Sequence, residues 1–340
     1  MYSRIEYSKI YQSKDQPEIT VLLGPRQVGK TTLIKALQEE LGGLYFDLDI
    51  LSNYERVKSY EDFLQTLKLN GYREEQQEKF YIFLDEFQRY ADLTMVFKNI
   101  YDHHPNVKIF ATGSSSFTIK NQIQESLAGR KKIFHLYPLN FEEFLIFKER
   151  DDLLEQLRNL RTITQTSKMN TEIELYTLLE EFMIWGGYPG VVLAPSTEEK
   201  KEKLQSIFDA FIKKDLVDYL KIEKFLAAKR LIESIAINNG QIANYNNFAQ
   251  YADINAVTVK NYIELLRETF IIMELRPFFR NKNKEVSKAP KLYFLDNGAR
   301  NFFINNFNPL HLRQDASFLF EGYFISEFYK TCLEWDQIKY

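Results

Sequence analysis

An apolar run, Val21-Leu22-Leu23, leads without a break into Gly24-Pro25-Arg26-Gln27-Val28-Gly29-Lys30-Thr31-Thr32. Gly-x4-Gly-Lys-Thr between a strand and a helix (Thr32-Leu33-Ile34-Lys35-Ala36-Leu37) is the Walker A pattern, whose backbone N–H groups curl around phosphate oxygens. Such a loop needs a buried strand in front of it and a helix behind it, which commits the chain to an α/β architecture. Gly24 and Gly29 supply the left-handed backbone and close approach that side chains would block. Lys30 offers a mobile positive charge to the β- and γ-phosphates, and the Thr31 hydroxyl is a candidate Mg²⁺ ligand. The N-terminus of the following helix adds its dipole to the anion site. Gly24, Pro25, Arg26, Gln27, Val28, Gly29, Lys30, Thr31 and Thr32 are therefore the candidate nucleotide-binding set.

A second segment fits the first. Phe80-Tyr81-Ile82-Phe83-Leu84 is apolar throughout, as a strand covered on both faces should be, and it ends in Asp85-Glu86. Acids at the carboxyl end of such a strand fall where open α/β sheets bind ligands, and the pair reads as Walker B. Asp85 is the candidate second metal-holding residue, and Glu86 the candidate base that orients and deprotonates water. An Asp-Glu pair favours hydrolysis over phosphoryl transfer to a small molecule. The absence of an Asn/Thr-Lys-x-Asp guanine-reading motif leans the nucleotide toward ATP.

Three more strands are expected at Leu44–Asp49, Val107–Thr112 and Lys132–Leu136, with helices over Ser59–Leu69 and around Leu93–Ile100. Strands and helices alternating at these lengths imply a three-layer P-loop NTPase core with a parallel sheet. In ATPases with a catalytic glutamate, one strand lies between those carrying Walker A and Walker B. A polar residue at its tip senses the γ-phosphate. Ser114 or Ser115, in Thr112-Gly113-Ser114-Ser115-Ser116, can fill that role; a serine-rich turn capping a helix at Phe117 is the alternative. Arg130 is the candidate cation for the transition state, acting in its own or a neighbouring subunit. The competing reading is a surface arginine beside Lys131 and Lys132.

Composition narrows the setting. The 340 residues (40.4 kDa) include 15% aromatics, ample material for two or three cores. A net charge of −3 and a pI near 6.0 mean that any nucleic-acid contact would come from a local patch. No apolar run reaches the roughly 20 residues that span a bilayer. Met1 to Tyr7 lack the apolar core of a signal peptide. Cys332, the single cysteine, excludes an internal disulfide framework. His103-His104 beside Pro105 are expected in a solvent-facing loop. A soluble cytoplasmic protein, without a membrane partner, is the expectation.

Six segments occur in a telling order: the Walker A run, Phe83-Leu84-Asp85-Glu86-Phe87-Gln88, Thr112–Ser116, Leu127-Ala128-Gly129-Arg130, Pro138-Leu139-Asn140-Phe141-Glu142-Glu143-Phe144 and Gly186-Gly187-Tyr188-Pro189. Together they resemble a large, mostly uncharacterised group of bacterial and archaeal AAA-type ATPases, and the match covers nearly the whole chain. The resemblance implies a winged-helix region and a restriction-nuclease-like region behind the ATPase. The expected division is a P-loop ATPase core at 1–145, a helical linker or lid at 146–225, a winged-helix domain at 226–300 and the start of a truncated nuclease-like region at 301–340.

Phe141–Leu160 and Glu172–Trp185 are helical, joined by a hydrophilic connector. Gly186-Gly187-Tyr188-Pro189-Gly190 is a hinge or a plain loop. Thr197–Lys221 has one buried helical face. Leu231–Asn238, Tyr245–Tyr251 and Ala256–Glu268 have helix-turn-helix rhythm, and Phe270–Leu275 with Lys291–Leu295 forms a two-stranded wing. If the third helix reads DNA, Asn255, Thr258, Lys260 and Asn261 face a groove. Arg276, Arg280, Lys282, Lys284, Lys288 and Lys291 would then contact phosphates. Candidate DNA contacts are therefore Thr258, Lys260, Arg280, Lys282, Lys284 and Lys288; a protein-docking module with solvated lysines is the open alternative. Asp315–Leu333 is an aromatic amphipathic helix that invites association if its sheet is missing. The resemblance places Glu321 and Glu327 on the opening helix of the nuclease-like region, but its later acid-x-Lys strands are absent.

Overall fold

The computed structural model describes residues 4–90, 92–114, 126–160, 169–213, 216, 225–278, 280, 285, 288–332 and 338–340. They divide into two compact units, Ser3–Leu136 and Tyr137–Tyr340.

In the first unit, five strands form one sheet: β1 (Ile19–Gly24), β2 (Leu44–Asp47), β3 (Phe80–Asp85), β4 (Val107–Ser114) and β5 (Lys131–His135). Their order is β2-β3-β4-β1-β5 and every pairing is parallel. All five expected strands are present, and β4 lies between β1 and β3 as the catalytic-glutamate architecture requires. The central strands β1 and β4 are buried at every position, the polar Thr20, Lys108, Thr112 and Ser114 included, as strands covered on both faces are. Helices α1 (Ile5–Gln12), α2 (Lys30–Leu41), α3 (Leu51–Glu55), α4 (Tyr60–Leu69) and α5 (Leu93–His103) accompany the sheet. Ser59 caps α4 by accepting from Asp62 N. Phe63, Leu67, Leu93, Phe97 and Ile100 from α4 and α5 join Val21, Leu23, Ile82 and Leu84 in one core.

Lys108 and His104 are among the polar side chains sunk into this unit. Lys108, on β4, is 1% exposed and donates to the carbonyls of Gln16 and Glu18. His104 corrects an expectation: it is buried, with its two ring nitrogens against the hydroxyls of Tyr60 and Tyr72. Burial lowers its pKa. Only His103 faces solvent.

The second unit is largely helical. Phe141–Leu160 splits into α6 (Phe141–Phe147) and α7 (Asp151–Leu160), with Glu149 in left-handed backbone between them. Asn140 and Glu143 form a reciprocal capping box that starts α6. Then come α8 (Met169–Trp185), α9 (Pro189–Val192), α10 (Thr197–Ala210), α11 (Phe225–Ile237), α12 (Tyr245–Ala252) and α13 (Ala256–Glu268). An antiparallel hairpin of β6 (Ile272–Leu275) and β7 (Lys291–Phe294) follows, then α14 (Asn297–Phe303) and α15 (Ala316–Thr331). Near the chain end, Lys339 bridges to Arg276 beside β6.

The Gly186-Gly187 break is a packed junction. Asp296 is buried; its carboxylate accepts from Gly187 N at 2.7 Å and caps α14 through Ala299 N at 3.0 Å. A Cβ on Gly186 would stand 2.0 Å from Asp296 Oδ1, and one on Gly187 would stand 2.2 Å from the Leu139 carbonyl. Asn301 donates to Ile184 O and Arg300 to Ala236 O, so the 296–301 segment ties α8, α11 and α14 together. Burial raises the Asp296 pKa. α15 packs through Leu319 and Ser326, while Phe320 (54%), Phe324 (59%) and Phe328 (42%) stay exposed along it.

Candidate functional site

The carboxyl end of the sheet gathers most of the candidate residues. Gly24 closes β1 in register with Ser114 at the tip of β4. It is needed for close approach: a Cβ there would lie 2.0 Å from the Leu136 carbonyl. Gly29 is needed for its backbone, with φ +97°, and the exposed Gln27 shares the left-handed region at φ +59°. Val28 is fully buried, whereas Arg26 is half-buried. Gly29 is the N-cap of α2, and no side chain caps this helix end and no acid occupies its first turn. Its leading N–H groups and dipole are thereby kept for an anion.

Lys30 is 4% exposed and donates to the carbonyls of Gly24 (3.0 Å) and Pro25 (2.7 Å), folded back across its own loop. Thr31 is half-buried at the helix start and Thr32 is exposed. Arg4, ahead of α1, reaches the same loop and donates to Val28 O at 2.7 Å.

Asp85 is 3% exposed at the end of β3. Its two oxygens accept from the Tyr45 hydroxyl (3.0 Å) and from the Thr112 hydroxyl. Tyr45 sits on the neighbouring strand β2; burial and the Asp85 charge raise its pKa. Glu86 follows in left-handed backbone at φ 59°, with its N–H 3.4 Å from Thr112 Oγ1. Its carboxylate accepts from the Gln88 carboxamide. Ser114 is 5% exposed. Ser115 lies outside the described residues. Tyr45, Thr112 and Gln88 are thus partners that sequence reasoning missed. Each is set by strand register or turn geometry, and only Gln88 carried a signal, two residues beyond Glu86 in the quoted run.

Among the described residues, no group of three or more His, Cys, Asp or Glu forms a self-contained metal cage. Mg²⁺ at a phosphate site does not need one, because one or two carboxylates, waters and the phosphates themselves supply its ligands. A buried Asp85 beside a helix N-terminus left open to phosphates fits that donor set.

Arg130 lies elsewhere. It precedes β5, and its carbonyl accepts from Ile19 N at the opposite end of β1. Five strand steps, about 17 Å at ~3.3 Å each, separate that end from Gly24. Its guanidinium is held in bidentate fashion on Asp102 (2.7 and 3.0 Å). This corrects the expectation that it could serve the nucleotide of its own chain. Its order along the chain is legible in the residues, but its end of the sheet is set by strand register.

The candidate DNA contacts fall in the second unit. Asn255 caps α13 by accepting from Thr258 N and its hydroxyl, which occupies Thr258. Lys260 and Asn261 are exposed, and Val257 is 69% exposed. An open groove of about 560 Å³ beside them is lined by Ile242, Tyr245, Asn246 and Lys260 among others. Arg280 and Lys288 are exposed; Lys282 and Lys284 lie outside the described residues. Lys291 pairs with Glu321, and Arg276 lies 3.6 Å from Glu274, so two of the six hairpin cations face carboxylates of the same unit. Glu321 also accepts from Tyr293, and Glu327 accepts from Phe141 N and Lys330. These glutamates hold the fold together.

Residues 16–145 match the family model of an AAA domain, and residues 176–310 match that of a domain of unknown function. The AAA-domain match falls mostly within the first unit. An uncharacterized protein of Haemophilus influenzae is 27% identical over 88% of this chain and 73% of its own length. One from Methanocaldococcus jannaschii is 26% identical over 84% of this chain and 62% of its own, so the chain spans less than two thirds of that relative. A Walker-type ATPase of Pyrococcus abyssi shares the fold, with a TM-score of 0.56, 16% identity, and coverage of 89% of this chain and 96% of that one. Among the described residues, no helix is long and apolar enough to cross a membrane.

Proposed function

We propose that the protein is a Mg²⁺-dependent ATPase. The convergence of Gly24–Thr32, Asp85-Glu86 and Ser114 at one end of one sheet carries this reading. The amides of residues 24–32 receive the phosphates, and Lys30 exchanges the Gly24 and Pro25 carbonyls for β- and γ-oxygens. Thr31 and Asp85 would hold Mg²⁺, which would supply positive charge to those oxygens. Glu86 takes a proton from water as the water oxygen bonds to the γ-phosphorus and the ADP oxygen leaves. The Ser114 hydroxyl donates to the γ-phosphoryl group. We read 146–225 as a helical linker or lid and 226–300 as a winged helix, both moved by the nucleotide state. Cytoplasmic location belongs to the same reading.

A second reading places α13 and the hairpin on double-stranded DNA. The exposed row Asn255, Val257, Lys260 and Asn261 beside an open groove favours it. A protein partner or self-association is the alternative occupant.

Phosphate release with and without duplex DNA tests both. Glu86→Gln should lower turnover at least about 100-fold while leaving ATP affinity intact, a general-base loss. Turnover at the wild-type rate in that variant would overturn the assignment. Salt-sensitive stimulation by duplex, lost in Lys260→Ala with Arg280→Ala and Lys288→Ala, supports the DNA reading. No response to duplex contradicts it.

A further inference from the structure

Gln88 is 4% exposed, in the one-turn segment that follows Glu86. Its Nε2 donates to a carboxylate oxygen of Glu86. Its Oε1 is buried and has no hydrogen-bond partner among the described residues. The bond to Glu86 fixes which end of the amide is nitrogen, since the reverse orientation would set two acceptors against each other. A buried acceptor without a donor is costly, and such groups concentrate where function outweighs stability. The side chain is also seated. A Cβ on Gly113 would stand 2.9 Å from Gln88 Oε1 and 3.2 Å from the Phe87 ring, so only glycine at the β4 tip leaves room for this amide.

Glu86 itself starts from left-handed backbone, which leaves its carboxylate direction to be set by side-chain contacts. We infer that Gln88 is the positioning residue for Glu86, with Gly113 as the seat that holds the amide in place. This inference rests on the ATPase reading above. One Glu86 oxygen is occupied by the amide N–H, and the other is left to take the proton of the attacking water. Fixing the carboxylate removes rotamers in which it cannot reach that water.

The test is steady-state phosphate release from Mg-ATP by wild type, Gln88→Leu and Gly113→Ala, with thermal midpoints as a check on folding. Both variants should lose kcat by about 10- to 100-fold, the range for an outer partner of a functional group, with KM unchanged. Gln88→Asn, a shorter amide, should recover part of the loss. In a Glu86→Gln background, Gln88→Leu should cost nothing further in single-turnover rate, because the two act as one unit. A merely structural glutamine would lower the rate equally in both backgrounds, and that result overturns the inference. So does wild-type kcat in Gln88→Leu, or a loss confined to KM. If wild type turns over ATP and only these variants fail to differ from it, the ATPase reading survives alone. If wild type binds Mg-ATP without turnover, both fall.

Discussion

Buried charge at single residues is the finest scale at which this protein can be tested. Lys108 lies in the middle of the sheet, and burial pushes its pKa from 10.5 down to about 7. Between those values the unfolded chain binds a proton that the folded chain does not. Stability from this group therefore rises with pH from about 7 to about 10.5 and is flat below that window. Lys108→Met keeps the apolar stem and removes the titration. Denaturant midpoints should show the variant gaining most on wild type near pH 7 and losing that advantage toward pH 10. A pH-independent difference would mean that the Gln16 and Glu18 carbonyls, rather than desolvation, govern the site. Gly24, Gly29, Lys30, Asp85 and Glu86 were legible in the sequence because their spacing is local. Tyr45 and Thr112 were not: they meet Asp85 from 40 and 27 residues away, through a register that no local pattern encodes.

At the scale of elements, local pattern identified all five strands, including the fully buried β1 and β4. It did not give the end of the sheet at which a residue stands, so Arg130 could be ordered along the chain but not placed at the Ile19 end of β1. Nor did it reveal that Leu295-Asp296-Asn297-Gly298 holds the Gly186-Gly187 turn in a packed junction, since an Asp-Asn-Gly run reads locally as a turn. Close approach at Gly24 is the element-level feature most open to test. Gly24→Ala puts a methyl 2.0 Å from the Leu136 carbonyl, so β1 and the β5 exit must part. A loss of about 2 kcal/mol or more is expected, in the range for overpacking a tight site. Gly190→Ala, whose Cβ would meet only the Lys203 side chain at 3.9 Å, should change stability little. Chemical denaturation of both variants checks this; equal effects would mean that the contact at Gly24 relaxes freely.

For the whole molecule, a match to an AAA-domain model at 16–145 and one to a domain of unknown function at 176–310 fall in one chain. In the proposed function the first region binds a nucleotide and the second changes posture in response. A ligand that binds only the folded state stabilises it by about 2.7 kcal/mol at 100 times its Kd, so binding must precede any such coupling. The central claim is that Gly24–Thr32, Lys30 and an Asp85-held Mg²⁺ grip ATP. Calorimetric titration of folded protein with ATP in Mg²⁺ tests it most directly. Wild type should give saturable heat at one site, retained in Glu86→Gln and lost in Lys30→Ala. No heat from wild type, or equal heat from Lys30→Ala, would contradict it.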